Sequence, residues 1–145
     1  MSKTDSTIIE EVEAIYRWID HRVSGFGATC RACGNCCDFE VFGHRLYVTT
    51  PELMHFQLTV GPEIKDMPAD ICPYRVDGKC SVYPNRFSGC RIFSCGGDSR
   101  QESHLSEQAI RRLKALCTKY NIPYYYVYLR GGLEMLRNPV FPPLW

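Results

Sequence analysis

The chain has 145 residues, with 17 Lys and Arg against 16 Asp and Glu, for a formal charge of +1. That length fits one domain, residues 1–145, large enough to bury a core without staples, and the balanced charge argues against a dedicated polyanion or nucleic-acid binder. The opening residues lack a secretory pattern and no apolar run approaches the ~18 residues of a membrane span, so the chain is expected in the cytoplasm, away from membranes.

In chain order, residues 7–24 predict an amphipathic helix. Thr7 and Glu10 have capping-box spacing, and Ile8, Val12, Ile15, Tyr16, Ile19 and Val23 share one face. Gly25 is a natural stop. A cysteine-rich segment follows, then a β-prone stretch, Phe39–Val48. Thr50-Pro51-Glu52 reads as the start of a short helix that ends before Gly61-Pro62. Asp77-Gly78, between Tyr74–Val76 and Lys79–Ser81, is the strongest hairpin signal in the sequence, with Cys80 on the return strand. Cys90 and Cys95 lie in a glycine-containing stretch that reads as loop. Residues 104–120 predict a second helix, with Leu105, Ala109, Ile110, Leu113, Leu116, Cys117 and Tyr120 on its apolar face and Asn121 and Pro123 ending it. Tyr124–Leu129 reads as a strand packed on both sides, and residues 138–145 as an extended tail.

Nine cysteines are the outlier in composition, about 6% of the chain. In a reducing compartment, cysteines remain thiols unless a metal or a catalytic cycle uses them. Their spacing points to ligands. Cys30, Cys33 and Cys36, each two residues apart, can place three thiolates around one face of a polynuclear cluster, with a fourth from elsewhere in the chain. Zinc sites more often show paired C-x-x-C or mixed Cys and His ligands. Cys36 and Cys37 are adjacent, so their side chains diverge and suit two irons or two sites better than one zinc ion.

The full pattern is Cys30-x-x-Cys33-x-x-Cys36-Cys37, then Cys72-Pro73, Gly78-x-Cys80-x-Val82-Tyr83, Arg86, and Cys90-Arg91-x-Phe93-x-Cys95. It closely resembles the CxxCxxCC cysteine-cluster family, described as zinc- or iron-chelating, over residues 30–95. One departure is Phe87 after Arg86, where the family often has Pro. The flagellin lysine N-methylase carries a similar cluster, and that resemblance favours iron–sulfur.

The resulting expectation is an α+β fold: a small single domain in which two helices flank a loop-rich, metal-stabilised cysteine core. Cys30, Cys33, Cys36, Cys37, Cys72, Cys80, Cys90 and Cys95 are expected to converge as ligands of an iron–sulfur cluster, first a four-iron four-sulfur (4Fe-4S) centre. Arg86 and Arg91 are expected to offset its charge and donate hydrogen bonds around it. The chain would then carry electrons or support a partner enzyme, with a protein partner implied. The alternative is a zinc-stabilised interaction module, and a thiol-redox relay is the remaining reading of the same cysteines. Cys117 is expected in the core. His21, His44, His55 and His104 are expected at the surface or at helix caps, with His44 the first exception. No Ser-His-Asp order or phosphate-binding loop is present, so no catalytic residue is assigned.

Overall fold

The computed structural model describes residues 3–26, 37–39, 45–61, 63–93 and 98–138. The elements run in the order α1 (Lys3–Ser24), β1 (Tyr47–Thr49), α2 (Thr50–Val60), β2 (Arg75–Val76), β3 (Lys79–Cys80), α3 (Ser88–Ile92), α4 (Ser99–Tyr120), β4 (Tyr126–Tyr128) and α5 (Leu129–Arg137). A 3₁₀ turn, Tyr83–Asn85, precedes α3.

The two long helices form where the apolar spacing places them, and both begin earlier than expected. α1 starts at Lys3, so Thr7 lies inside it and its hydroxyl bonds the Lys3 carbonyl instead of capping. α4 starts at Ser99, because Asp98 accepts the Arg100 and Gln101 amides, satisfying two N–H groups that an uncapped helix leaves orphaned. Asn121, in the left-handed region, ends it. The Asp77-Gly78 hairpin forms as expected. Both residues have positive φ, 52° and 75°, the geometry of a type I′ turn, and Arg75 pairs with Cys80.

Strand β4 pairs antiparallel with β1, in the register Tyr47 with Tyr128 and Thr49 with Tyr126. Each strand leads directly into a helix, β1 into α2 and β4 into α5. The expected two-sided burial of the tyrosine run is corrected, because Tyr125 and Tyr126 are exposed and Tyr126 stacks on exposed Tyr47. Tyr125 precedes β4, and the two-stranded ribbon leaves Tyr126 and Tyr47 at the surface.

Helix α2 is the central element. Every residue from Thr50 to Phe56 is buried. Leu53 and Phe56 join one apolar cluster with Val48, Phe87, Leu129 and Leu133. Met54 joins a second, formed by Ile8, Val12 and Ile19 of α1 with Leu105, Ala109 and Leu113 of α4. A helix apolar on both sides belongs between two layers.

Glu52 locks this helix to its neighbours. Its fully buried carboxylate accepts the Thr49 amide at 3.1 Å and the Thr49 hydroxyl at 2.9 Å on one oxygen. The other oxygen accepts the Tyr16 hydroxyl of α1 at 3.2 Å and the Ser88 amide that opens α3. Four donors around one carboxylate offset the cost of burying it.

The expected fold class is therefore corrected. The described residues form an α+β domain with five helices and two small two-stranded sheets, organised on apolar contacts. No metal-stabilised cysteine core is found among them. No described helix is long and apolar enough to cross a membrane.

Two predictions follow from this packing. Glu52→Gln places an amide against donors and leaves at least one without an acceptor, so urea unfolding should show a loss of roughly 3 kcal/mol. In α5, a Cβ on Gly132 would lie 2.8 Å from Val48 Cγ2 and 3.0 Å from Leu53 Cδ2, whereas one on Gly131 meets nothing closer than 3.9 Å. Gly132→Ala should lower stability by about 1–3 kcal/mol through overpacking. Gly131→Ala should raise it by about 0.5–1 kcal/mol through helix propensity. Thermal melts of the two variants should shift in opposite directions.

Candidate functional site

Of the eight cysteines expected as ligands, Cys37, Cys72, Cys80 and Cys90 are described; Cys30, Cys33, Cys36 and Cys95 lie outside the described residues, as does His44. No disulfide joins the described cysteines. The segments carrying Cys37 and Cys72 run side by side. The Cys72 amide donates to the Cys37 carbonyl at 2.8 Å, and the Phe39 amide to the Asp70 carbonyl at 2.9 Å, around an antiparallel bridge between Asp38 and Ile71. Both cysteines are buried in the cluster that holds Phe56 and Phe87.

Cys80, half-buried on β3, comes to the same place through the hairpin. The Cys37 thiol donates a hydrogen bond to the Cys80 sulfur, the largest reason that the Cys80 pKa is lowered to about 6. Burial opposes this shift, while the Val82 amide and the Arg86 guanidinium add to it. A thiol so placed is largely thiolate at neutral pH, and the thiolate is the nucleophilic form. Cys90 is not on a loop as expected. It lies within α3, half-buried against the cluster that contains Cys37 and Cys72. Cys117 is in the core as expected, at 3% exposure, and burial pushes its thiol up to about 11.

The two arginines have different roles. Arg86 lies over the Tyr83 ring, donates to the Tyr83 carbonyl at 3.0 Å and the Cys90 carbonyl at 3.2 Å, and acts electrostatically on Cys80. Arg91 turns the other way. Its guanidinium donates to the Arg86 and Pro84 carbonyls and pairs with Asp20 of α1 at 2.8 Å, covering the Tyr16 ring. That arrangement ties α3 to α1, so the described contacts of Arg91 are those of a strut.

The metal expectations are corrected on this geometry. Among the described residues, no group of three or more His, Cys, Asp or Glu side chains is placed to hold a metal ion. Among the described residues the Cys37 thiol meets the Cys80 sulfur, whereas a four-coordinate site needs four ligands converging. The expected iron–sulfur function, its 4Fe-4S cofactor and the zinc alternative are accordingly set aside. No protein-family model matches this chain, and comparisons with curated proteins and with solved structures likewise find no match. The resemblance to the CxxCxxCC family is overturned with them. The order, spacing and flanking residues of the motif are real, but they carried the assignment without a placed ligand set.

One polar residue was misplaced by the sequence reading. His55 is 1% exposed, within the fully buried first half of α2. Its only sequence signal was its position inside the apolar run Leu53–Phe56.

The thiol geometry predicts a pH profile. The rate at which iodoacetamide labels Cys80, read by peptide mass spectrometry, should fall with a midpoint near pH 6, where the thiolate takes up its proton. Cys37→Ala removes the donor and should move that midpoint upward. Cys117 should remain unlabelled until the protein unfolds.

Proposed function

We propose that this chain performs thiol–disulfide exchange, with Cys80 as the attacking thiolate and Cys37 as the resolving thiol. The observation that carries this reading is the direct thiol-to-thiol contact between residues far apart in sequence, placed by the bridge at Asp38 and by the β2–β3 hairpin. The low pKa of Cys80 supports it, since the best attacking thiols titrate near ambient pH. Arg86 supports the anionic sulfur by charge, without a covalent role.

The exchange proceeds in two displacements. The Cys80 thiolate attacks one sulfur of a disulfide in a peptide or protein partner. A mixed disulfide forms and the partner's other sulfur leaves as a thiolate. Cys37 then passes its proton to solvent and attacks the Cys80 sulfur, expelling the second partner thiolate and closing a Cys37–Cys80 disulfide. Two electrons pass from the dithiol to the partner, and its two thiolates take up protons at neutral pH. Such chemistry fits a reducing compartment, and we place the chain in the cytoplasm on that ground.

The test uses reduced full-length protein and oxidised glutathione under nitrogen, quenched with N-ethylmaleimide and mapped by mass spectrometry. The expected product is a Cys37–Cys80 cross-linked peptide with two equivalents of reduced glutathione released. Cys37→Ala should stop at the Cys80–glutathione mixed disulfide, and Cys80→Ser should abolish first attack at this pair. If Cys80 stays alkylatable in the wild type, or if the cross-link joins other cysteines and excludes this pair, the reading is wrong.

A further inference from the structure

Away from the thiols, a polar pocket of about 120 Å³ opens between α1, α2 and the segment from Pro84 to Arg91. Glu13, Tyr16, Arg17 and Asp20 of α1 line it, with His55 and Arg91.

His55 is the anomaly. Although it is buried, neither of its ring nitrogens has a hydrogen-bond partner among the described residues. Its Nε2 lies 3.8 Å from Glu13 Oε2, beyond hydrogen-bond length. A buried polar group left unsatisfied is costly, so an imidazole that is buried yet faces a pocket is placed to take a hydrogen-bonding partner there.

The surrounding groups define what that atom is. Burial, aided by Arg91, holds the imidazole below its usual range against the pull of Glu13. It is therefore neutral near pH 7, with one N–H donor and one bare acceptor. Tyr16 is committed to Glu52, and Arg91 to Asp20 and two carbonyls. The formal charges of Glu13 and Asp20 balance those of Arg17 and Arg91, so the pocket has no net pull on an ion. A hydroxyl can accept from the imidazole N–H and donate to the Glu13 carboxylate across the gap. An ammonium can meet only the bare nitrogen and adds a charge to a pocket whose own charges balance, and a carboxylate cannot donate to Glu13.

We infer that this pocket binds a small neutral polyhydroxylated molecule, a polyol or one edge of a sugar, through a hydroxyl that bridges His55 and Glu13. The inference stands independently of the thiol chemistry. Arg17 and Asp20 also line the pocket and can meet further hydroxyls.

The test follows the His55 imidazole nitrogens by long-range ¹H–¹⁵N NMR in the full chain, with glycerol as probe and sodium acetate and methylammonium chloride as charged controls. Glycerol should shift the His55 signals saturably, with neither control competing. Glu13→Gln, at an exposed position, should keep the fold and weaken glycerol binding at least fivefold. His55→Asn should remove the response, and the Glu13 variant keeps the test decisive if that protein does not fold. No saturable shift with glycerol, an equal affinity in Glu13→Gln, or saturation by acetate or methylammonium in its place would overturn the inference.

Discussion

One buried carboxylate sets the arrangement of the described domain. Glu52 sits at the first turn of α2 and reaches three other segments: the end of β1 through Thr49, α1 through Tyr16, and the start of α3 through Ser88. Apolar packing is tolerant of small slides and rotations, whereas four hydrogen bonds to one carboxylate are not. The apolar clusters on either side of α2 provide the driving force, and Glu52 selects one relative placement of the helices from those the clusters alone would accept. It also fixes where α3 begins, and so where Cys90 and Arg91 lie.

The thiol pair depends on that placement indirectly. Cys37 is held by a two-residue bridge and Cys80 by a two-residue strand, neither of which is stable alone. Both rest on the cluster containing Phe56 and Phe87, and Phe87 directly precedes the Ser88 amide that Glu52 accepts. Arg86, next in line, is braced by the Tyr83 and Cys90 carbonyls. The electrostatics at Cys80 are thus set by side chains whose positions trace back to the core. The tyrosine ring beneath Arg91 and its partner Asp20 extend the same bracing to α1.

Much of the secondary structure was legible in the sequence, because it rests on local signals. The 3.6-residue spacing of Ile8 to Ile19 and of Leu105 to Leu116 marks two helices, and Asp77-Gly78 marks a turn that needs two positive φ angles. The misreadings have a common cause. Cys90 was read as loop because of neighbouring glycines, yet Gly89 is drawn into a helix that packs closely on Leu46, whose Cδ1 would lie 2.6 Å from an added Cβ. His55 was read as surface because histidine is usually polar-facing, yet its neighbours Tyr16 and Arg91 come from elements over 30 residues away. The cysteine spacing suggested ligation, but spacing constrains which thiols can meet and leaves open which do. Cys37 and Cys80 meet through pairings that no local motif encodes. The Leu129–Arg137 helix, with two glycines in its first turns, had no local signal. Gly132 is there to let the helix approach Val48 and Leu53.

The β1–β4 ribbon has a consequence for biosynthesis. It joins residues about 80 positions apart, and the α1–α4 contact spans a still greater separation. A ribosome adding ~5–20 residues each second therefore exposes the cysteine-bearing middle of the chain for several seconds before its partner segments emerge. Closure of so long a loop is entropically costly and slow relative to helix formation. During that interval the thiols are open to the surrounding oxidants and thiols, and to pairings that the folded contacts of Cys37 and Cys80 later restrict.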